Sequence, residues 1–257
     1  MGSDTRTPIF LYHAIDRRRS IISIPSSVFA WQMRWLHEEG FQVIPLRELV
    51  QRLRTRDLPP TRAVVITFDD GFSSVYTSAF PVLARYGFPA TVFLVPGYCG
   101  GRNDWPGQPS TIPRQALLTW AQVAEMDRHG IEFGAHSLSH ARLDHLTPEK
   151  IEREILDSKT SIEDHLGHAV ELFAYPYGRH NDTVKAIVRR AYSGACSAHL
   201  GLVGPSSDPF ALERVDVHYL AQPWVFRRLS TPLFSLYLGV RRPLRTVASL
   251  VLNRPWR

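Results

Sequence analysis

Short apolar runs alternate with helix-patterned segments along most of this chain, and that alternation limits its fold more than any other feature. Ala63–Phe68 (AVVITF) shows no polar alternation, as expected of a strand covered on both faces. Further strands are predicted at Ile9–Tyr12, residues 41–44, 90–95 and 131–135, and Leu172–Ala174, with residues 193–196 as a continuation. Helices fall between them. One is capped by Ser26-Ser27, places Phe29, Met33 and Leu36 on one face and ends at Gly40; others cover residues 46–53 and the stretch ending at Tyr86 before Gly87. Thr119 and Gln122 form a capping box for a helix to His129, Thr147-Pro148 opens one to Leu166, and a last one covers Asp182–Ala191. Residues 96–113, rich in Gly, Pro, Asn and Asp, read as a long surface loop. Repeated strand–helix units predict a parallel sheet, and this many predict a barrel rather than an open sheet. A chain of 257 residues can bury one substantial core, and no internal repeat divides it.

The net charge of +6 does not point to nucleic acid. Residues 227–257 hold seven arginines (227, 228, 241, 242, 245, 254, 257) and no acid, so the rest of the chain is close to neutral. Within this basic tail, residues 243–253 put Leu244, Val247, Ala248 and Val251 on one helical face. Such a segment either packs on the barrel with its arginines in water or lies on the inner surface of an anionic membrane as a peripheral contact. Cys99 and Cys196 lie far apart without metal-site spacing, so no disulfide framework is implied. Residues 1–8 are polar and no apolar run reaches the length of a membrane span, so a cytoplasmic location is expected.

Polar residues interrupt the predicted strands at matching places. His13 follows the first strand, Asp69-Asp70-Gly71 follows AVVITF, His136 follows residues 131–135, and Tyr177-Gly178 follows Leu172–Ala174. The carboxyl ends of parallel barrel strands open on one face, so four separate segments deliver acid, base and ligand groups to one place. His136 and His140 stand one helical turn apart, a spacing that suits two ligands on one divalent cation with a carboxylate as the third. With two adjacent aspartates, one binds metal and the other is left as a base. Each motif alone has an ordinary reading, a solvated helix face or an Asp-Gly turn. Together they describe a mono-metal hydrolase site.

Thr67-Phe68-Asp69-Asp70-Gly71, His136-Ser137-Leu138-Ser139-His140 and Ala174-Tyr175-Pro176-Tyr177-Gly178 resemble the three signatures of the polysaccharide deacetylases, carbohydrate esterase family four. The resemblance runs from about Pro8 to Val217. It implies a deformed (β/α) barrel of about seven parallel strands, a catalytic domain over residues 1–226 and a tail over 227–257. It further implies one divalent ion, Zn2+ before Co2+ or Ni2+, on Asp70, His136 and His140. Asp69 would be general base on the attacking water, the Tyr177 backbone N–H an oxyanion donor, and the reaction removal of acetyl from an N-acetylated sugar. Two departures stand out. Ala174 occupies the place of an arginine that orients the base, which Arg214 replaces from a later strand or, alternatively, spends in a surface ion pair. The family's C-terminal Leu-x-His is missing; Leu11-Tyr12-His13 resembles its circularly displaced form, making His13 the acid for the leaving amine. Trp105 and Trp120 are candidates for a sugar-stacking wall, and Asp16 for a minor role nearby. A non-sugar or cyclic amide substrate, and a catalytically dead saccharide-binding or membrane-associated protein, are the alternatives.

Overall fold

A computed structural model describes residues 6–18, 20–57, 59–231 and 233–241. Seven strands, β1 (Ile9–Tyr12), β2 (Ala63–Phe68), β3 (Thr91–Leu94), β4 (Glu132–Ala135), β5 (Leu172–Ala174), β6 (Gly194–Leu200) and β7 (Leu212–Asp216), pair in parallel in that order. β1 closes the ring by pairing on one edge with β2, Ile9 opposite Val65, and on the other with β7, Phe10 opposite Val215. The barrel is deformed as expected. β3 and β4 share four register pairs, whereas β4 and β5 share only Ala135 with Phe173, and the β6–β7 register shifts between Leu212 and Arg214.

The period of two along each strand sorts side chains between the barrel interior and the helix layer. Ile9, Ala63, Val65, Phe93, Leu172, Ala174, Cys196 and Leu212 form one buried cluster inside. Phe10, Tyr12, Val64, Ile66, Phe68, Val92, Phe133, Phe173 and Val215 belong to a second cluster, packed under the helices. α1 (Ser26–Glu38), α2 (Leu46–Thr55), α3 (Phe80–Tyr86), α4 (Trp120–Arg128), α5 (Pro148–Leu166) and α6 (Asp182–Ala191) supply the outer layer. α2 has a different task. Its Leu46, Leu49 and Val50 join the inner cluster beside the first residues of β1, β2 and β6, so they plug the amino end of the barrel. Only the carboxyl end is left for polar chemistry.

Most predicted elements are found within a residue or two. The Thr119/Gln122 capping box is present on both arms, and Gly87 and Gly167 end α3 and α5 in the left-handed conformation that favours glycine. Three details differ. Pro25, not a serine hydroxyl, precedes α1, whose N-terminus has no side-chain cap. The strand expected over 41–44 is reduced to Gln42–Val43, which pairs with Ala63 and Val64 and is not one of the seven barrel strands. The predicted 193–196 strand extends to Leu200 because β7 continues beside it.

Both cysteines are free. No helix among the described residues is long and apolar enough to cross a membrane. Residues 233–241 form a helix whose Phe234 and Leu238 are buried in the outer cluster, so packing on the barrel continues past the expected boundary at 226. The amphipathic segment expected at 243–253 lies outside the described residues.

Gly134, in the middle of β4, has no room for a side chain. A Cβ there would stand 2.6 Å from the Phe93 ring and 2.8 Å from the Leu172 carbonyl. Neither the ring nor the backbone of the next strand can yield freely inside a closed barrel. Gly134→Ala is expected to destabilise the fold by about 1–3 kcal/mol, read as a lowered urea midpoint at unchanged slope.

Candidate metal centre

Strand parity aims the functional side chains. The inward positions of β2 are Ala63, Val65 and Thr67, and the next in that series is Asp69; β1 leads by the same count through Ile9 and Leu11 to His13. β4 leads through Glu132 and Gly134 to His136, and β7 through Leu212 to Arg214. These residues therefore reach the mouth of the barrel because of where each strand stops alternating.

Two loops then bend sharply. Asp70 adopts φ 70° and Gly71 φ 69°, so the chain turns back directly after the second aspartate; a Cβ on Gly71 would meet Leu94 at 2.9 Å. The segment from His136 to His140 is not a helical turn, contrary to the reading of its spacing. Ser137 and His140 have φ 59° and 58°, and this irregular loop, without helical hydrogen bonding, brings the two imidazoles together. Left-handed backbone at non-glycine residues costs of the order of 1–2 kcal/mol each. The loop is pinned against that cost. Leu138 N donates to the Glu154 carbonyl at 3.0 Å, Ser139 N and Oγ donate to the Glu154 carboxylate at 2.9 and 2.7 Å, and Gly97 N donates to the Leu138 carbonyl at 3.0 Å.

The donor atoms of Asp70, His136 and His140 lie within 4.8 Å of one another, all three residues buried. Asp70 Oδ1 stands 3.5 Å from His136 Nε2 and 3.3 Å from His140 Nε2, yet it has no hydrogen-bond partner among the described residues. A buried carboxylate oxygen left unpaired between two imidazoles fits a divalent cation, and two nitrogens with one oxygen form a donor set suited to zinc. His136 Nδ1 donates to the Ala174 carbonyl at 2.7 Å, which fixes the tautomer and leaves Nε2 free to ligate. Burial, the largest influence, pulls the His136 pKa down to about 4 despite the nearby aspartates, so its imidazole is neutral at physiological pH. Burial pushes the Asp70 carboxyl up, but the close approach of the His140 imidazole, with His13 and His136 around it, outweighs burial and brings it down to about 2.

Asp69 is held from behind. Arg214, 1% exposed, makes a bidentate contact to both Asp69 oxygens at 2.7 Å, with further hydrogen bonds to the Ser197 carbonyl at 2.7 Å and Thr67 Oγ1 at 3.2 Å. The surface ion pair offered as the alternative for Arg214 is thereby overturned: an inward position on β7 buries the guanidinium inside the barrel. Burial alone would raise the Asp69 pKa. The Arg214 charge, then His136, reverse this and leave the carboxyl below its ordinary range, ionised at neutral pH.

His13, Asp69, Asp70, Trp105, His136, His140 and Tyr177 line one cleft with a volume of about 40 Å³. Trp105 stacks its ring on His140, centroids 4.3 Å apart, so that face of the ring packs on a candidate ligand and is not open to a sugar. Tyr177, at φ 60°, sets its ring edge-on to His140 at 4.5 Å. Trp120 is not in the cleft; it stacks on His165 at 3.7 Å, since it begins α4 on the outer layer. Asp16 accepts from Arg18 N at 2.7 Å and does not line the cleft. Thr67, Ser197 and Glu154 were missed by sequence reasoning. Thr67 had a signal, a hydroxyl within an apolar strand; Glu154 is one of several acids on the polar face of α5 and had none.

Comparison with known proteins agrees with this geometry. The polysaccharide deacetylase family model matches residues 57–192. YxkH of Bacillus subtilis, which carries the polysaccharide deacetylase name, is 32% identical over 213 residues, covering 82% of this chain and 71% of its own. The poly-β-1,6-N-acetyl-D-glucosamine N-deacetylase of Escherichia coli K12 is 32% identical over 131 residues, 48% of this chain but only 19% of that enzyme's length. The Streptococcus pyogenes deacetylase PplD, solved with acetate, superposes with a TM-score of 0.73 at 27% identity over 82% of this chain and 92% of PplD.

The Arg214–Asp69 pair makes stability depend on pH in a direction that its removal reverses. In the native chain the Asp69 pKa is below its unfolded value, so its contribution is present above the ordinary value of 3.8 and fades as pH falls through the folded pKa. In Arg214→Met the carboxyl is buried without its counter-charge and its pKa rises, so its contribution is present at low pH and lost as pH rises. The variant is expected to lose about 3–5 kcal/mol at neutral pH and markedly less near pH 4. Urea unfolding of both chains in chelator at the two pH values checks this; an equal loss at both would contradict it.

Proposed function

The chain belongs to the polysaccharide deacetylase family, and we propose that it hydrolyses the acetamide of an N-acetylated sugar in a saccharide, releasing acetate and the free amine. One observation carries the reading: three ligand-type donors converge within 4.8 Å beside a second aspartate that Arg214 keeps ionised. The cleft supports it too, because it brings His13 and Tyr177 to the same place as these donors.

Asp70, His136 and His140 would hold a divalent cation, Zn2+ by donor chemistry, which supplies charge stabilisation for the acyl oxygen and acidifies water. Asp69 accepts the proton of the attacking water as its oxygen bonds to the acetyl carbon. Arg214 orients Asp69 with both oxygens fixed, taking the place of the arginine missing at Ala174. The Tyr177 backbone N–H donates to the developing oxyanion. His13, at the end of β1 and lining the same cleft, delivers a proton to the sugar nitrogen as the C–N bond breaks. Without that proton the amine leaves poorly. The E. coli relative's name supports an N-acetylglucosamine-type substrate.

Acetate release from N-acetylglucosamine oligomers by metal-stripped chain reloaded with single ions tests the reading directly. Asp69→Asn is expected to keep the ion and lose at least ~100-fold in kcat. His136→Ala loses the ion as well. Acetate release by Asp69→Asn at the native rate would remove Asp69 from the chemistry.

His13 has its own signature. His13→Ala should keep ion affinity while kcat for the acetamide falls ~100-fold or more. An activated acetyl ester, whose alcohol leaves without protonation, should be much less affected. Equal losses on both substrates would make His13 structural.

A further inference from the structure

The last acid in the chain is Asp216; residues 217–257 contain seven arginines and none. Within this segment the fold builds an exposed apolar face. The helix at residues 233–241 turns Phe234 and Leu238 into the outer cluster, while Leu233, Leu236 and Val240, spaced to share the opposite face, are 51%, 64% and 57% exposed. Trp224, in the short helix Pro223–Phe226 just upstream, is 62% exposed. These are four of the six large hydrophobic residues that are exposed among the described residues. Isolated exposed apolar residues need no explanation; their concentration in one acid-free segment does.

The cations here sit on aromatic rings. Arg228 lies over Trp224 at 5.2 Å, Arg227 over Trp31 at 5.8 Å, and Arg241 over Tyr219 and Tyr237 at 4.8 and 5.0 Å. No ion pair joins any of the three to a carboxylate among the described residues. Exposed aliphatic side chains flanked by Trp, Tyr and arginines match the layered chemistry of a bilayer interface. Other occupants fit less well. A second copy in a two-fold contact would set these arginines against their own counterparts. Residues 242–257, with four arginines and no acid, add to the positive charge instead of complementing it.

We infer that this acid-free segment, through the exposed Trp224, Leu233, Leu236 and Val240 and the cations Arg227, Arg228 and Arg241, docks on the surface of an anionic phospholipid bilayer. The apolar side chains enter the acyl boundary and the arginines meet lipid phosphates. The Tyr237 hydroxyl donates to the Tyr219 carbonyl, in the turn Val217–Leu220 that follows β7 at the cleft end of the barrel. Docking through this helix therefore anchors the barrel by an element tied to its catalytic end. The inference does not depend on which amide the cleft hydrolyses.

The full chain is co-sedimented with vesicles of phosphatidylglycerol mixed with phosphatidylcholine, and with phosphatidylcholine alone. Binding is expected to the mixed vesicles and to weaken with salt. Combined Trp224→Ser, Leu233→Ser, Leu236→Ser and Val240→Ser should weaken it about tenfold or more. Combined Arg227→Gln, Arg228→Gln and Arg241→Gln should erase the preference for anionic lipid. Both variants should keep native circular dichroism and hydrolysis of a soluble activated ester. An environment-sensitive fluorophore on Leu236→Cys should shift to the blue with mixed vesicles only. The inference is overturned by failure of the native chain to bind, by equal binding to neutral vesicles, or by unchanged binding of the apolar variant, which would leave residues 242–257 as the contact. A concentration-dependent dimer abolished by the same substitutions would assign the face to a second copy and overturn it as well.

Discussion

The buried ion pair between Arg214 and Asp69 is the contact around which the barrel mouth is organised. Arg214 comes from the last strand and Asp69 from the end of the second, with β1 between them, so the pair spans the seam where the barrel closes. Removing both charges from water is costly, and the cost is met only because each charged atom is bonded. Two guanidinium nitrogens bind the carboxylate, while the remaining contacts go to Thr67 and the Ser197 carbonyl. Thr67 Oγ1 in turn donates to the Phe10 carbonyl at 2.7 Å, which ties β1 into the same network. A carboxylate that would otherwise be neutralised by burial is thus kept charged directly beside the candidate metal centre.

The same polar layer divides the barrel interior. Below it the inward residues are apolar apart from Thr91 and Glu132, which hydrogen-bond to each other at 2.7 Å, and α2 seals the amino end with Leu46, Leu49 and Val50. Above it the inward series of β1, β2 and β4 end in His13, Asp69 and His136. Gly134 and Gly194 leave room for Phe93 and Val50, so these side chains pack directly against the backbone of short and irregular strands. Rigidity below lets the loops above hold strained backbone. Asp70, Ser137, His140 and Tyr177 all have positive φ, and each lies in the cleft or directly beside a residue that does. Concentration of left-handed residues at one mouth marks conformations that packing and hydrogen bonds, Glu154 above all, compel.

Much of this was legible in the chain itself. AVVITF could be nothing but a buried strand, and the aspartates after it had to emerge at a strand end. The capping box at Thr119, the Pro-opened helix at Thr147 and the glycine stops at Gly87 and Gly167 are local devices whose geometry a few neighbouring residues decide. That locality is why their boundaries were read closely. The motif residues Asp69, Asp70, His136 and His140 were legible for a related reason: period two within a strand carries side-chain direction along the sequence.

What tertiary structure alone decided involves residues far apart in the chain. The spacing of His136 and His140 suggested a helical turn, but clamping by Gly97 and Glu154 imposes an irregular loop, and neither clamp is marked in the sequence. Arg214 could have been a surface ion pair until closure of β7 against β1 put it inside, 145 residues from the aspartate it binds. Trp105 and Trp120 are the same residue type, yet one stacks on a candidate ligand and the other on an outer helix. Residue type and local period determine what a segment becomes and which way its side chains face. Barrel closure determines which of those side chains meet, because contact across a ring depends on the register of every strand between them.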